Sequence, residues 1–320
     1  MTDLSNMNMN MLNTVAKTIT ISRNRENTTN AGNSAEQVIQ YYSQDASEKR
    51  DSAQPTLLFL HGILGDGRTW LPHFPAFDDF DKIAITQSGF GSSFGINSAD
   101  DALFDTQKHA DELLAFCEAL NLKENRPDRT FIIIAWSYAC HVALLAAKKH
   151  LAQSASQLKP LIDSLLLYEL IVPSYGITET AQTAFTKDIT VMMSPIIKAT
   201  RRRKTDVAID HFIATCKNAP FTLNEQSAYV QAIKNDNAHT LEKLLTQVEP
   251  APISAAELQA IHAKMPITIM MGENSRDIFR LSSEAGANAI GEEVRIIAGV
   301  DHLLPEENPA LFAQIMKDAL

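Results

Sequence analysis

Two side chains that could carry out nucleophilic chemistry stand directly after predicted strands. Ser137 follows the apolar run FIIIAW, where a strand pattern changes to a helix pattern, and His302 follows the strand pattern EVRIIAG. A serine hydroxyl becomes an effective nucleophile when a base such as histidine takes its proton. A structural alternative exists for Ser137, because serine also caps helices by accepting a hydrogen bond from a backbone N–H group.

Two carboxylates that could orient such a histidine also follow strand patterns. Glu169 closes the run SLLLYE, and Asp277 follows the run ITIMMG. An ionised carboxylate in surroundings as apolar as those of Glu169 is costly unless it is paired, and an imidazolium would be a suitable partner. Asp277 stands between Arg276 and Arg280, which also suits a surface ion pair. The chain order serine, acid, histidine is one known order of a catalytic triad.

Strands and helices alternate along most of the chain. The strand patterns are TLLFL, KIAIT, FIIIAW, SLLLYEL, ITIMMG and EVRIIAG, and helix patterns cover residues 104–121, 138–152, 281–290 and 308–319. Before them, KTITISRN and EQVIQYYSQD predict two paired strands. Alternation of this kind predicts an α/β fold: a mostly parallel twisted sheet with helices on both faces.

Residues 173–264 interrupt the alternation with helical patterns and no convincing strand. Ligands bind open α/β sheets at the carboxyl ends of the strands, and an insertion at that end predicts an α-helical cap over the site. The core would then consist of residues 17–172 and 265–320. Residues 1–16, which are rich in Asn and Met, predict a flexible N-terminal tail.

These segments together resemble the α/β-hydrolase fold superfamily, from about residue 17 to the end. LLFLHG resembles its oxyanion-hole strand, SGFGSS its Gly-x-Gly-x-Ser loop, AWSYA its nucleophile elbow and GVDHLLPEENPALF its catalytic-histidine loop. The resemblance implies that Ser137 is the nucleophile and His302 its base. It also implies an oxyanion hole formed by the backbone N–H groups of Ile63 and Tyr138.

Four residues around this pattern bear on the packing of the predicted site: Ala135, Ala139, Thr86 and His61. The elbow has Ala135 and Ala139 where the family usually has glycine, but alanine is the smallest replacement and the strained residue is the serine itself. Thr86 stands where the family more often has Asp, which concerns loop packing rather than chemistry. We expect His61 to order the loop around it rather than to act as a second base.

The identity of the acid stays open between two residues. The usual family acid follows the strand ITIMMG, where Ser275 is the nearest match and cannot serve, and Asp277 stands two residues further on. Some members, the haloalkane dehalogenases among them, carry the acid after the preceding strand, where Glu169 is followed here by LIVP. Those enzymes use an aspartate nucleophile, so Ser137 argues against dehalogenation. Glu169 is favoured over Asp277.

The function implied is hydrolysis of an ester, thioester or related acyl bond by a serine hydrolase. Apolar residues of the insertion hint at a small, partly apolar substrate, although their helical spacing also suits core packing: Met192, Met193, Ile196 and Ile197. The alternative is a non-hydrolytic use of the fold, as a small-molecule binder, a cofactor-free oxygenase or a lyase, because a fold does not determine a function.

Other ligand classes are not favoured. GILGDGRT resembles a phosphate-binding loop, but Arg68 replaces the lysine that such loops use. The chain lacks the H-E-x-x-H and C-x-x-C metal motifs, so we expect no metal and no cofactor. A net charge of −10 argues against nucleic-acid binding, and the cluster RRRK at 201–204 suits a solvated helix face. A small-molecule substrate is the expected partner, and homo-oligomerisation is left open.

The cysteine count and the amino terminus bear on the compartment. Cys117, Cys140 and Cys216 are an odd number in apolar or helical surroundings, which predicts reduced, buried thiols rather than a disulfide framework. No signal peptide and no apolar run of membrane-spanning length are visible. The sequence therefore predicts a cytoplasmic protein that does not bind membranes.

Overall fold

An eight-stranded sheet organises the fold. The structure is a computed structural model, which describes residues 14–23, 35–47, 54–91, 104–153 and 160–320. The strands are β1 Lys17–Arg23, β2 Ala35–Gln44, β3 Thr56–Leu60, β4 Lys82–Thr86, β5 Phe131–Trp136, β6 Ile162–Tyr168, β7 Ile267–Gly272 and β8 Arg295–Ile297. Their order is β1-β2-β4-β3-β5-β6-β7-β8. β2 pairs antiparallel with β1 and β4, and the other pairs are parallel. The predicted α/β class is confirmed.

The central strands are buried along their whole length. Every residue of β3, β4 and β5 is buried, so both faces of the sheet are covered, as the continuous Leu and Ile runs predicted. The parallel strands β3, β5, β6 and β7 end at the same edge of the sheet. Side chains that follow them therefore come close together in space, however far apart they are in the sequence.

Ten α-helices lie in the described residues. They are α1 Thr106–Lys123, α2 Tyr138–Gln153, α3 Glu179–Arg201, α4 Thr205–Lys217, α5 Ala228–Asp236, α6 Thr240–Leu244, α7 Ala255–His262, α8 Asp277–Ile290, α9 Leu304–Glu307 and α10 Pro309–Lys317. A 3₁₀ segment, Gly67–Phe77, follows β3, and a 3₁₀ turn, Leu223–Glu225, precedes α5. The insertion between β6 and β7 contains α3 to α7 and no strand.

Several boundaries differ from the sequence predictions for local reasons. β6 ends at Tyr168 rather than at residue 170, because Glu169 adopts a left-handed φ of 63°. The predicted helix 308–319 is α10, which begins after Asn308, whose side chain accepts a hydrogen bond from Leu311 N, and the short helix α9 before it was not predicted. α8 begins at Asp277, four residues before its apolar periodicity becomes visible. Most of the predicted tail, residues 1–13, lies outside the described residues.

Ion pairs join the insertion to the core beside the carboxyl edge of the sheet. Asp188 of α3 binds Arg276 at 2.7 Å, and Lys217 of α4 binds Asp301 at 3.2 Å. Lys234 of α5 forms a 2.8 Å ion pair with Glu306 of α9, and both side chains are buried. The cysteines form no disulfide: all three are buried free thiols, as predicted.

Candidate active site

Ser137 lies on a sharp turn between β5 and α2. Its φ is 58°, in the left-handed region that non-glycine residues rarely occupy. Its amide donates to Tyr168 O at 3.0 Å, and its carbonyl accepts from Cys140 N at 2.9 Å. A helix N-cap normally has an extended backbone, so the structure does not support the capping alternative for Ser137. The turn instead projects the serine from the edge of the sheet.

Small residues make this turn sterically feasible. Ala135 and Ala139, which replace the glycines usual at the elbow, are completely buried beside the serine. Gly62 approaches even more closely, because a Cβ atom added to it would lie 3.3 Å from Ser137 Cβ. The loop after β3 is therefore held directly against the turn that carries Ser137.

Two backbone amides flank Ser137 from different elements. Tyr138 is the first residue of α2, and the first N–H groups of a helix have no acceptor within it and lie at the positive end of its dipole. Ile63 follows Gly62 in the loop packed against Ser137. In the described part of the chain, no hydrogen bond occupies the Ile63 amide. The arrangement can present two donors to an anionic oxygen beside the serine.

His302 forms a short hydrogen bond with Glu169. Nδ1 of the imidazole lies 2.6 Å from Oε2 of the carboxylate, and the exposed fractions of the two residues are 3% and 0%. A carboxylate only accepts hydrogen bonds, so the imidazole proton resides on Nδ1 and the lone pair on Nε2. The pair thus fixes the tautomer in which Nε2 can act as a base.

Packing fixes the plane of the His302 ring. Phe279 of α8 stacks on it with 3.9 Å between ring centroids and 12° between planes. Trp136, the neighbour of Ser137, donates its Nε1–H to the His302 carbonyl at 3.1 Å, and the Trp136 and His302 rings are 5.3 Å apart. The residue before the serine is therefore bonded to the histidine itself.

The structure brings together only one of the two candidate acids with His302. Asp277 lies at the exposed start of α8, where it binds Arg280 at 2.9 Å. Glu169 follows β6 and is completely buried, with Oε1 accepting hydrogen bonds from Gly272 N at 2.8 Å and from the Ser275 hydroxyl. These donors offset the cost of burying an ionised carboxylate.

His61 has no free nitrogen with which to act as a base. Nδ1–H donates to Gly62 O at 2.9 Å, and Nε2 accepts from Gln87 N at 3.1 Å. Burial lowers its pKa to about 4, which keeps the ring neutral. It orders the loop that carries Ile63, as expected. Thr86 has a similar packing role, because its hydroxyl accepts from Gly67 N at 3.1 Å.

The loop that resembles a phosphate-binding sequence does not present a free cation. The Arg68 guanidinium lies 2.7 Å from Asp66 and 2.8 Å from Asp236 of α5. Burial alone would raise the pKa of Asp66, but hydrogen bonds from Arg68 and Asn237 outweigh burial and lower it. Arg68 therefore serves to attach α5 to the core.

A cavity of about 270 Å³ opens close to the histidine loop but does not include Ser137, His302 or Glu169. Its lining comes from the 3₁₀ segment, α5 and the region of α9 and α10, and includes Thr69, Tyr229 and Glu306. A shallower groove of about 640 Å³ follows the outer face of α3, lined by Met193 and Ile197 among others. Met192 and Ile196 are buried in the core, as their helical spacing also allowed.

The described residues offer neither a metal site nor a membrane-spanning helix. No cluster of three or more His, Cys, Asp or Glu side chains in them could hold a metal ion. Within those residues, no helix is both long and apolar enough to cross a membrane.

Two residues of the site had no clear signal in the sequence. Phe279 precedes the predicted start of its helix and is indistinguishable from a core phenylalanine. Ser275 cannot serve as the acid, because it has a hydroxyl and no carboxylate, yet that hydroxyl donates a hydrogen bond to Glu169. Glu169 follows β6 and Ser275 follows β7, and only the structure shows that these two strands pair and bring the two residues together.

Comparisons with known proteins agree with this architecture. The solved structure of a thermophilic esterase from Thermogutta terrifontis is 18% identical with a TM-score of 0.63, over 95% of this chain and 97% of that one. Carboxylesterase CesB from Bacillus subtilis is 14% identical with a TM-score of 0.64, over 97% and 93%. MenH from S. aureus is 22% identical with a TM-score of 0.59, over 87% and 96%. Identities this low show a shared fold.

The sequence comparisons address the family. A search of the curated proteins finds no match to this chain. The model of the alpha/beta hydrolase family matches residues 57–315, which extend from β3 through the histidine loop into the last helix. The chain belongs to the alpha/beta hydrolase family.

Proposed function

We propose that this protein is a serine hydrolase that cleaves an ester, thioester or related acyl bond of a small, partly apolar substrate. Ser137 is the nucleophile, His302 the general base and acid, and Glu169 the acid of the triad. The observation that carries the proposal is the 2.6 Å hydrogen bond from His302 Nδ1 to Glu169, beside a serine on a left-handed turn. This arrangement supports the roles of base and acid that a triad assigns to His302 and Glu169.

In the first half of the reaction, Ser137 Oγ attacks the carbonyl carbon while its proton moves to His302 Nε2. The new C–O bond displaces the carbonyl π electrons onto oxygen. As the tetrahedral intermediate collapses, the bond to the leaving group breaks and the leaving group takes the proton from Nε2. Water then repeats these steps on the acyl-enzyme and releases the acid. The hydrogen bond between a nucleophile such as Ser137 and a base such as His302 often forms only when a substrate is bound.

The oxyanion is assigned to the amides of Ile63 and Tyr138. The Ile63 amide belongs to the loop packed against Ser137, and the Tyr138 amide belongs to the start of α2. Preorganised donors of this kind contribute about 10²–10³ each to the rate, because they face the charge that develops in the transition state.

Glu169 acts through the histidine. It holds Nδ1 in the protonated tautomer and stabilises the imidazolium that forms when Nε2 takes the serine proton. The buried position of both groups strengthens their interaction, because little water screens it. Glu169 is not expected to take the proton itself.

We assign the insertion as a cap that limits access to the serine. Two of its ion pairs with the core lie beside the site, at Arg276 and at Asp301, the neighbour of His302. Ser137 is 6% exposed, so the opening to it is narrow. A narrow opening favours a small acyl group over a polymer, and the Trp136 and Phe279 rings packed on His302 favour an acyl group with apolar character.

The experiment is hydrolysis of p-nitrophenyl esters of increasing acyl length by the wild type, Ser137→Ala and Ser194→Ala. Ser194 is an exposed serine of α3 and is the matched control. We expect turnover of acetate and butyrate esters, a fall of about 10³-fold or more in kcat for Ser137→Ala, and less than a twofold change for Ser194→Ala. A Ser137→Ala variant that keeps wild-type kcat would refute the proposal.

A further inference from the structure

The carboxylate of Glu169 is held from two neighbouring strand ends. Glu169 follows β6, and its amide donates to Met270 O of β7 at 2.9 Å. Gly272 and Ser275, at and after the end of β7, supply the donors to Oε1, while Oε2 faces His302. One oxygen is therefore anchored by β7 and the other is left for the histidine.

The end of β7 is built closely around this carboxylate. A Cβ added to Gly272 would lie 2.5 Å from Val300 O and 2.8 Å from Ser275 Oγ, so only glycine brings its amide this near. The amide of Ser275 donates to Gly272 O at 3.2 Å, which turns the serine side chain back toward Glu169. The hydroxyl is half-buried and donates to the carboxylate.

Backbone geometry makes this anchoring consequential. Glu169 has a left-handed φ of 63°, a backbone conformation that is itself costly. This conformation sets the direction of its side chain. If Ser275 lost its hydroxyl, Oε1 would keep one donor and the carboxylate could rotate away from Nδ1. A hydrogen bond to a charged group contributes enough to change a rate by about 10- to 100-fold.

We propose that Ser275 is a positioning residue, which orients the Glu169–His302 pair by donating its hydroxyl hydrogen bond to Glu169 Oε1. The inference rests on the proposed function.

The test compares Ser275→Ala with Ser275→Thr, which keeps the hydroxyl. We expect kcat for an ester substrate to fall about 10-fold or more in Ser275→Ala with KM unchanged, and Ser275→Thr to restore most of it. Equal loss in both variants, or a change in KM alone, would overturn the positioning role. In ¹H NMR, the downfield Nδ1 proton of His302, identified by its absence in His302→Gln, should shift or vanish in Ser275→Ala.

Failure of this inference is distinguishable from failure of the proposed function. A wild type inert toward all esters would contradict the hydrolase proposal, while the NMR comparison of Ser275→Ala with wild type would still decide whether Ser275 orients the pair. An active wild type with an unchanged Nδ1 resonance and unchanged kcat in Ser275→Ala would contradict the inference alone.

Discussion

Ser137 and Glu169 share an unusual backbone conformation, with φ values of 58° and 63°. Left-handed conformations cost non-glycine residues about 1–3 kcal/mol each, and they persist only where the surrounding packing determines them. Here the amides of both residues donate into the neighbouring strand, Ser137 to Tyr168 O and Glu169 to Met270 O. Ser137 and Glu169, whose side chains must leave the sheet at fixed angles, therefore both have a strained backbone.

The choice between the two acids leads to the residue-scale prediction. Glu169→Gln keeps the shape of the side chain but removes the charge that faces His302, so kcat should fall about 10³- to 10⁴-fold. Asp277→Asn breaks a surface ion pair with Arg280, an interaction that contributes at most about 1 kcal/mol to stability, and should leave kcat within twofold. Steady-state hydrolysis of one ester by both variants measures the difference. An unaffected Glu169→Gln would contradict the assignment.

At this scale the sequence supplied the chemistry but only part of the geometry. Ser137 and His302 could be predicted because each follows a recognisable strand. The acid could not be decided, because the difference lies in strand pairing and in a left-handed φ that no local pattern encodes. The role of Ser275 depends on the same pairing of β6 with β7.

At the scale of elements, the carboxyl edge of the sheet and the insertion are joined by polar contacts. Most strands could be predicted from continuous apolar runs, since a buried parallel strand has few other possible compositions. Helix boundaries were less accurate where charged first turns hide the periodicity, as in α8. The partners of the insertion could not be predicted, because ion pairs such as Lys234–Glu306 join residues 72 positions apart in the chain.

The ion pair between α5 and α9 gives the element-scale prediction. Lys234 and Glu306 are each 2% exposed at the side chain, so Lys234→Met leaves a buried carboxylate without its cation and should lower the free energy of unfolding by about 3–5 kcal/mol. Arg280→Met, which removes two exposed pairs, with Asp277 and with Glu284, should cost less than about 1 kcal/mol. Urea denaturation at pH 7 measures both.

The double variant Lys234→Met/Glu306→Gln is the internal control for that measurement. It removes both charges, so most of the lost stability should return. A Lys234→Met variant as stable as the wild type would contradict the stabilising role of the buried pair. A double variant no more stable than Lys234→Met would contradict the unpaired carboxylate as the cause of the lost stability.

At the scale of the whole molecule, several neutral histidines are built into the interior. His61, His109 and His141 are buried with both ring nitrogens hydrogen-bonded. Burial lowers their pKa values to about 4, about 3 and about 4, from an ordinary value of 6.5. His109 also binds the Tyr138 hydroxyl at 2.8 Å, which ties one of these rings to the residue after Ser137.

These histidines predict how stability depends on pH. Because their pKa values are lower in the folded than in the unfolded state, the unfolded chain binds more protons below pH 6.5. Their contribution is present above that pH and is lost as the pH falls toward 4, on the order of 3 kcal/mol for each ring. Urea denaturation at pH 7, 6, 5 and 4.5 should show a steep decline.

Two variants check the origin of that decline. His109→Gln removes one buried titrating ring and should flatten the dependence, while His239→Gln, at an exposed position, should leave its slope unchanged. A free energy of unfolding that stayed constant between pH 6.5 and 4.5 in the wild type would contradict the role of the buried rings.

Covalent labelling by a fluorophosphonate tests the central claim most directly, because the reagent reacts with a serine only when a base activates it and donors receive the developing charge. We predict one adduct per chain by intact mass, located at Ser137 by peptide mass spectrometry, with labelling slowed strongly in His302→Gln and abolished in Ser137→Ala. An unlabelled wild type, or an adduct on any other residue, would contradict the account.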